Sequence, residues 1–497
     1  MKPVKLKIGT RPALLAVMST LLAATGTACS GGGNSAEQSS QAPASSSAAA
    51  SSASDTYPEN GLPKNEKVVL KYGFFEGGLG REYIDLAMDS FKKKYPNVSF
   101  EVMYSPKINT IIQTKIAAND DENMFDLFNT TLPGGRNAMI PLVQAGKLEP
   151  QDDLWDRVVA DGNGKTVKEL AIPGIYEGAL RYFNKSYNLP NVVSNGGLFF
   201  NKKLFEKYGW NQNPKTWDEF VQLLADIKAK GIIPMTYPGQ YPGYLDNGFG
   251  FAKMFELAEQ NGTLDTFKKN YETYALPQYL APETVEVWKR IYELGKKGYF
   301  PDGVAALSHT QSQMQMLQGQ AAMVLTGDWV QNEMKDSVPP DLEWGYMAVP
   351  MGNDPDSTKW ISSSTSNGNY IWAAKPELNK KWAKEFSLWL WTLDVQKALA
   401  EKGGATPVRQ EFVADKTLME SLQSAPKAVL QYMSANKTVV TSQIRTVTLS
   451  DPAAAQAEKT LTEAITEITS GKKDPVPVLE QAEKLHTQAL EAQKNAK

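Results

Sequence analysis

The chain is poor in the residues that carry metal and thiol chemistry. Its 497 residues include two histidines, His309 and His486, and a single cysteine, Cys29. Because zinc sites combine several histidines or cysteines, this composition excludes a typical zinc centre, and a lone cysteine cannot form an internal disulfide. The sequence also lacks the HExxH and GxSxG motifs of two hydrolase classes. The residues therefore predict no catalytic group, no metal and no cofactor.

An excess of one charge and a long apolar run are also missing. Lys and Arg number 52 and Asp and Glu number 55, which gives a formal net charge of −3. This mildly acidic balance argues against nucleic acid as the partner. The apolar run at residues 13–24 is too short to cross a bilayer as a helix. The remaining composition, 42% hydrophobic and 22% charged, is ordinary for a soluble globular protein.

The amino end has the pattern of an export signal. A basic segment (residues 2–11) precedes the apolar run, and Gly26-Thr-Ala-Cys29 follows it. This end resembles the lipobox of bacterial lipoproteins, with Gly26 where Leu is usual. We predict a lipoprotein signal peptide at residues 1–28 and lipidation, including palmitate, at Cys29; the alternative is ordinary signal-peptide cleavage beside an incidental cysteine. Residues 29–59 are rich in Ser, Ala and Gly, which predicts a lipid-anchored, disordered tether.

The first part of the globular region alternates strand and helix patterns. Residues 68–75, 98–102 and 125–128 have strand patterns, and the segments between them have the spacing of amphipathic helices. A β-α-β-α-β order predicts a parallel sheet. About 440 residues follow the tether, which is too many for one core and suits two lobes.

A second set of α/β signals begins near residue 198, after a polar, irregular segment at residues 149–189. Thr216 and Glu219 have the spacing of a capping box for a helix that buries Phe220 and Leu223. Later segments predict a strand at residues 232–237, a helix at residues 308–318 and strands at residues 321–325 and 344–349. The second half therefore also predicts an α/β lobe.

The segment at residues 319–334 carries the most informative site pattern. Its apolar strand is broken by Gly327, and Asp328 and Trp329 follow directly. Ligands of open α/β sheets collect outside the carboxyl ends of strands. There an indole face can cover the C–H face of a sugar ring, and a carboxylate can accept from its hydroxyls. The alternative is a core tryptophan beside an aspartate in a turn.

Five segments of the chain carry distinctive patterns: GKLEP at 146–150, LFFNKKLF at 198–205, PKTWDEF at 214–220, GQAAMVLTGDW at 319–329 and GGATPVR at 403–409. In this order they resemble motifs of the family 1 extracellular solute-binding proteins, the carbohydrate-capturing subunits of ABC importers. Phe200 stands where the family usually has Tyr. The resemblance spans most of the chain after residue 60.

The resemblance implies an α/β fold of the two-lobed, type II periplasmic-binding-protein kind, with hinge strands that cross between the lobes. We assign residues 60–190 and 366–402 to the first lobe and residues 191–365 and 403–497 to the second. A ligand held between the lobes would favour the closed arrangement.

The resemblance also implies a ligand cleft. We expect its walls to include Glu76 and Asn129 from the first lobe, and Asn367 at a crossing. The second lobe would supply Asp328, Trp329 and the Tyr-rich loop at residues 237–244, with Tyr241 and Tyr244. This loop looks closest to members that take N-acetylglucosamine or chitooligosaccharides; the alternative is a loop that packs its own rings. Arg409 is expected to pair with a neighbouring acid.

The function implied is that of a non-enzymatic, monomeric receptor. It would sit lipid-anchored on the extracytoplasmic face of the cell membrane, bind a mono- or oligosaccharide and pass it to the transmembrane subunits of an ABC permease. Two alternatives stay open. A surface-anchored glycoside hydrolase needs only two suitably spaced carboxylates, and the same receptor fold can take a peptide or a polyamine.

Overall fold

The computed structural model describes residues 55–172, 174–366, 368–441 and 445–495. The predicted signal peptide, Cys29 and most of the tether lie outside these residues, as does Asn367. Within the described part, no helix is both long enough and apolar enough to span a membrane.

The alternating strand and helix segments at the start of the globular region form the first sheet and its helices. Its elements are β1 (Val68–Phe75), α1 (Glu82–Lys94), β2 (Val98–Ser105), α2 (Ile108–Ala117), β3 (Leu127–Phe128) and α3 (Gly135–Gln144). β1 pairs in parallel with both β2 and β3, so the predicted parallel β-α-β-α-β order is confirmed. The third strand is shorter than predicted, because the Asp126 carboxylate accepts from the backbone N–H of Lys71 and takes over part of the ladder.

The segment at residues 149–189 is more ordered than its sequence indicates. It contains a 3₁₀ turn (Asp152–Asp156), the helices α4 (Val167–Leu170) and α5 (Ile175–Gly178), and a hairpin of β4 (Arg181–Tyr182) and β5 (Lys185–Ser186). Leu154, Trp155 and Leu170 are buried in a cluster with Trp391 and Val408. The apolar residues of this segment thus form a small core of their own, without the regular spacing that identifies a long helix or strand.

The second sheet and its helices form the next part of the chain. They are β6 (Val192–Asn201), α6 (Lys202–Tyr208), α7 (Trp217–Ala229), β7 (Ile233–Thr236), a 3₁₀ turn (Pro242–Leu245), α8 (Asp246–Phe249), α9 (Phe251–Gln260), α10 (Leu264–Thr273), α11 (Pro282–Lys296), a 3₁₀ turn (Val304–Ala306), α12 (His309–Leu317), β8 (Ala321–Gly327), α13 (Val330–Glu333), β9 (Trp344–Met347) and β10 (Lys359–Ser366). The predicted capping box of α7 is only half formed. The Thr216 hydroxyl accepts from the N–H of Glu219, but the Glu219 carboxylate accepts from Lys215 instead.

The rest of the chain returns to the first sheet once and then completes the second lobe. Its elements are β11 (Tyr370–Ile371), α14 (Glu377–Trp389), α15 (Leu393–Ala398), a π turn (Leu399–Gly403), β12 (Thr406–Pro407), α16 (Glu411–Ala414), α17 (Lys416–Glu420), α18 (Ser424–Ala435), β13 (Thr438–Thr441), α19 (Pro452–Thr469) and α20 (Pro475–Asn495). α14 and α15 are separate helices, because Thr392 adopts an extended backbone between them.

The strands form two main sheets, one in each of two lobes. The first sheet has the order β11-β3-β1-β2, and the second has the order β13-β10-β6-β8-β7, with β9 and β12 also paired to β6. α1 and α14 share a core with the first sheet, whereas α7, α11, α18, α19 and α20 share one with the second. We use first lobe and second lobe for these two groups; the predicted residue limits of the lobes stay predictions.

The chain crosses between the sheets beside the start of β6. β10 belongs to the second sheet and β11 to the first, and β12 brings the chain back by pairing with Val192 and Val193 of β6. The predicted crossing strands are therefore present. Arg409, just after β12, pairs with Asp161 at 2.7 Å and with Glu411 at 2.6 Å, which confirms its expected pairing with an acid.

Candidate functional site

A cavity of about 420 Å³ lies between the two lobes. The first lobe contributes the turn before α3 and the first two turns of α3. The second lobe contributes α8 to α11, residues 445–449, and the helices α19 and α20. Cavities of 300–1,000 Å³ between lobes are usual ligand sites, so this gap is the candidate functional site.

Aromatic rings form one wall of the cavity. Tyr271 and Trp288 are buried, and Tyr279 lies half-buried beside them. Burial raises the pKa of the Tyr271 hydroxyl to about 12, so it is protonated at neutral pH. The indole N–H of Trp288 is buried without a hydrogen-bond partner. This wall thus offers flat apolar faces, on which sugar C–H groups pack, and unused polar atoms.

Two carboxyl groups face the same cavity. Asp246 begins α8, and Glu458 lies on α19, where its Oε2 accepts from Nδ2 of Asn137 in the first lobe at 2.6 Å. Burial and then repulsion from Glu458 raise the pKa of Asp246 to about 6. Surrounding protein also raises the pKa of Glu458, although its side chain stays open to solvent in the gap. Neither carboxylate has an ion-pair partner within 4 Å in the described part of the chain, so both can accept hydrogen bonds from a ligand.

The raised pKa of Asp246 gives a testable pH dependence. The folded pKa of about 6 exceeds the unfolded value of about 4, so the folded protein binds more protons between these values and its free energy of unfolding falls as pH rises through that window. We expect Asp246→Asn to be more stable than the wild type by about 1–2 kcal/mol at pH 8 and no more stable at pH 3.5. Urea unfolding at several pH values measures this. Asp218→Asn, which removes an exposed carboxylate, is the control, and an advantage of Asp246→Asn that does not change with pH would contradict the prediction.

The predicted aromatic residues of the second lobe form a cluster. The rings of Tyr241 and His309 stack with centroids 4.2 Å apart, and Tyr244 contacts the same imidazole at 4.4 Å. Tyr244 also meets the Trp329 indole edge-on at 6.4 Å. Tyr241 is 51% exposed. The structure therefore brings Trp329, Tyr241 and Tyr244 together, through a histidine that the sequence analysis did not select.

The predicted first-lobe residues lie together at the carboxyl edge of the first sheet. The Asn129 Oδ1 atom accepts from the N–H of Phe75 at 2.7 Å, next to Glu76. Asn129 is buried, and its Nδ2 atom has no partner. Glu76 is half-buried in the loop after β1. Both residues remain candidate ligand contacts, with Glu76 the more accessible.

Asp328 does not face the gap in this structure. Its side chain is fully buried, and its Oδ2 atom accepts from the backbone and side-chain N–H groups of Asn195 and from the Thr406 hydroxyl. Asn195 belongs to β6, and Thr406 belongs to β12. In this arrangement the Asp328 carboxylate is not exposed to a sugar hydroxyl, and its contact with a ligand stays a prediction. The carboxylate ties together strands at the crossing through its Oδ2 atom, while its Oδ1 atom is buried without a hydrogen-bond partner.

Direct contacts close the gap between the lobes near Trp329. The Asn332 Nδ2 atom donates to the carbonyl of Gly78 at 2.6 Å. A Cβ atom added to Gly78 would lie 2.9 Å from Cδ1 of the Trp329 indole. On the other side of the gap, the Arg136 guanidinium donates to the Tyr274 hydroxyl at 3.3 Å. The lobes are thus in contact at two places, one near Trp329 and one at the cavity itself.

None of the predicted site residues that the structure describes lines this cavity, so sequence reasoning missed the residues around it. Asp246 comes two residues after Tyr244, so the Tyr-rich loop was the one signal that could have found it. Trp288 and Glu458 lie on helices whose patterns indicate only amphipathic packing. Their approach to α3 depends on how the lobes meet, which no local pattern encodes. No cluster of His, Cys, Asp and Glu suited to a metal occurs among the described residues.

Comparisons with known proteins agree with this architecture. A protein of Pyrococcus horikoshii described as an uncharacterised ABC transporter extracellular-binding protein is 23% identical over 69% of this chain and 72% of its own length. The diacetylchitobiose binding protein NgcE of Streptomyces coelicolor is 23% identical over 55% of each chain.

A solved structure of a chitin oligosaccharide binding protein superposes with a TM-score of 0.63, at 20% identity, over 85% of this chain and 99% of that one. This likeness confirms the predicted two-lobed, type II fold. The family model described as bacterial extracellular solute-binding protein matches residues 77–397. The match covers well over half of the sequence and includes four of the five motifs in full, from the segment at 146–150 to the Gly-Asp-Trp segment. The chain therefore belongs to the family of bacterial extracellular solute-binding proteins.

Proposed function

We propose that the protein binds a carbohydrate between its lobes and delivers it to the membrane subunits of an ABC importer. The observation that carries this proposal is the cavity of about 420 Å³, whose walls come from both lobes. Its rings suit the C–H faces of sugars, and its carboxyl and amide groups suit the hydroxyls. A ligand that contacts both lobes favours the arrangement in which they meet.

The ligand class rests on the cavity chemistry and on similar proteins. One similar protein is described as binding diacetylchitobiose and another as binding a chitin oligosaccharide. We therefore propose N-acetylglucosamine and short chitooligosaccharides as the first ligands to test. A peptide or a polyamine would need a cleft dominated by one sign of charge, whereas this cavity contains both carboxylates and guanidinium groups.

The proposed mechanism is a population shift between open and closed forms. A ligand must favour the closed form by about 5.5 kcal/mol to move its population from 1% to 99%. Hydrogen bonds to charged groups contribute about 1.5–3 kcal/mol each, and ring contacts about 0.5–1.5 kcal/mol each. A few such contacts spread over both lobes are enough. The permease would then distinguish the closed form from the open one.

The cellular setting forms part of the same proposal. Export through residues 1–28, lipidation at Cys29 and a tether at residues 29–59 would hold a monomeric receptor on the extracytoplasmic face of the membrane. Mass spectrometry of the membrane-extracted protein tests this directly. A diacyl or triacyl mass on a peptide that begins at Cys29 supports it, and an unmodified cysteine contradicts it.

A binding assay with product analysis tests the function. Calorimetry with N-acetylglucosamine, chitobiose, longer oligomers, a peptide and a polyamine measures saturable binding, and a reducing-end assay of the same mixtures measures hydrolysis. We expect binding of a saccharide without new reducing ends. The glycoside hydrolase alternative has one specific observation in its favour, the two carboxyl groups of Asp246 and Glu458 in one cavity. Turnover that is lost in Asp246→Asn or Glu458→Gln would establish that alternative.

Trp329 is the predicted stacking residue with the clearest test. We expect Trp329→Ala to weaken saccharide binding about tenfold, or about 1.4 kcal/mol, because one ring face is lost while other contacts remain. Trp217→Ala is the matched control, since Trp217 lies at the start of α7 against Arg290, outside the gap. Calorimetry gives the affinities, and thermal unfolding shows that both variants fold. An unchanged affinity in Trp329→Ala would remove this residue from the site.

A further inference from the structure

Three arginine side chains meet at one end of the inter-lobe cavity. Arg136, Arg181 and Arg445 line a smaller pocket of about 110 Å³. Arg136 and Arg445 also line the main cavity, so the two spaces adjoin. Arg136 and Arg181 belong to the first lobe, whereas Arg445 lies in the segment before α19. The pocket is thus built at the junction of the lobes.

None of the three guanidinium groups has a carboxylate partner within 4 Å in the described part of the chain. Arg136 donates to the carbonyl of Arg181 at 3.1 Å and to the Tyr274 hydroxyl, and its Nε atom is buried without a partner. Arg181 donates to carbonyls of its own segment, those of Glu177 and Ala179. Backbone oxygens therefore hold these cations in place without neutralising them.

The third guanidinium is fixed mainly by rings. Arg445 lies 3.5 Å from the Tyr271 ring centroid and 4.1 Å from that of Tyr274, and it donates to the carbonyl of Tyr271. Glu458 is close enough for Arg136 and Arg445 to act on its pKa, but it forms no ion pair with either. Glu177 also lines the small pocket and is exposed. The pocket therefore keeps more positive charge than its own acids neutralise.

Such an arrangement suits an anion. A guanidinium presents N–H groups in a fork that matches carboxylate, sulfate or phosphate oxygens, and such charge-assisted hydrogen bonds are about twice as strong as neutral ones. An anion in this pocket would contact Arg136 and Arg181 from one lobe and Arg445 from the other. It would therefore strengthen closure as well as binding.

The geometry points to a subsite for an anionic substituent at this end of the cavity, so that the preferred ligand is an acidic saccharide. This inference rests on the proposed function, because the rings and hydroxyl acceptors of the main cavity hold the sugar. The shared chemistry is a carboxylate, sulfate or phosphate group carried on a sugar ring. A free inorganic anion is the other source of the same chemistry.

Calorimetry on the full chain separates these sources. The probes are diacetylchitobiose, a uronic-acid disaccharide, N-acetylglucosamine 6-sulfate, N-acetylglucosamine 6-phosphate and inorganic phosphate alone, each at low and high salt. We expect at least one acidic saccharide to bind ten times or more tighter than its neutral counterpart, with an advantage that shrinks at high salt. Equal affinities for acidic and neutral sugars would overturn the inference and leave the proposed function standing. Saturable binding of inorganic phosphate without any preference for acidic sugars would also overturn it, and binding of no saccharide would overturn the proposed function as well.

Arg181→Gln tests the pocket itself. Because Arg181 donates only to carbonyls of its own segment, its replacement breaks no contact between the lobes. We expect Arg181→Gln to remove most of the preference for the acidic saccharide, tenfold or more, while affinity for the neutral sugar stays the same; Arg181→Lys should restore part of it. Arg157→Gln, which removes the same charge at a surface ion pair with Glu385, is the control. A preference that survives in Arg181→Gln, with thermal unfolding showing a folded variant, would overturn the assignment.

Discussion

Gly78→Leu should weaken ligand binding by a hundredfold or more, which corresponds to about 3 kcal/mol. In the closed arrangement, a Cβ atom at Gly78 would lie 2.9 Å from the Trp329 indole and 3.5 Å from Cβ of Glu333. A leucine side chain extends well beyond Cβ, so it would hold the lobes apart at this edge. The ligand would then keep its contacts with one lobe and lose most of those with the other.

The lobes themselves should tolerate this substitution. Gly78 does not have a positive φ angle, so its backbone accepts a side chain, and the clash exists only where the lobes meet. We expect the thermal unfolding temperature of the unliganded variant to stay close to that of the wild type. Calorimetry measures the affinity, and small-angle X-ray scattering measures whether ligand still reduces the radius of gyration.

Gly243→Leu is the control for adding a leucine near the gap. An added Cβ at Gly243 meets no heavy atom within 4 Å, so this variant should bind and compact like the wild type. If Gly78→Leu retained both full affinity and full compaction, the contact between the loop after β1 and Trp329 would have no part in ligand capture.

Asp328→Ala should lower the free energy of unfolding by about 3–5 kcal/mol. The carboxylate accepts hydrogen bonds at 3.0 Å from Nδ2 of Asn195 and at 3.1 Å from the Thr406 hydroxyl, and a third from the backbone N–H of Asn195. Alanine would leave these buried donors without an acceptor, at about 1–3 kcal/mol each. Chemical denaturation measures the loss.

Asp328→Asn separates the contribution of side-chain shape to stability from the contribution of its charge. An amide oxygen can keep the same acceptor position, so this variant should lose less than half as much stability as Asp328→Ala. Burial raises the pKa of Asp328 to about 7, above an unfolded value of about 4. Between pH 4 and pH 7 the folded state therefore holds a proton that the unfolded state has lost. The free energy of unfolding of the wild type falls as pH rises through this range, whereas that of Asp328→Asn should not change for this reason. If Asp328→Ala kept wild-type stability but lost ligand affinity, the result would contradict this structural role and support the predicted ligand contact.

Local sequence patterns predicted the helices and their buried faces well where a helix packs against a single sheet. The spacing of apolar residues along α1 placed Tyr83, Ile84 and Phe91 on the buried face, because helix periodicity alone decides which side chains meet the sheet. The same holds for α7, where Phe220 and Leu223 are buried as expected. Local patterns did not predict the structure of residues 149–189, because the apolar residues of this segment pack against distant parts of the chain, including Trp391 and Val408.

The sequence by itself determined the α/β elements of both lobes, because strand ends, turns and helix faces are encoded over a few residues each. Only the tertiary structure decided which polar groups reach the ligand gap. Asp328 and Trp329 are neighbours in the chain, yet the aspartate is fully buried at the strand crossing while the indole faces the other lobe. Asp246, Glu458 and the three arginines come together from helices and loops far apart in sequence, and their meeting depends on how one lobe packs against the other.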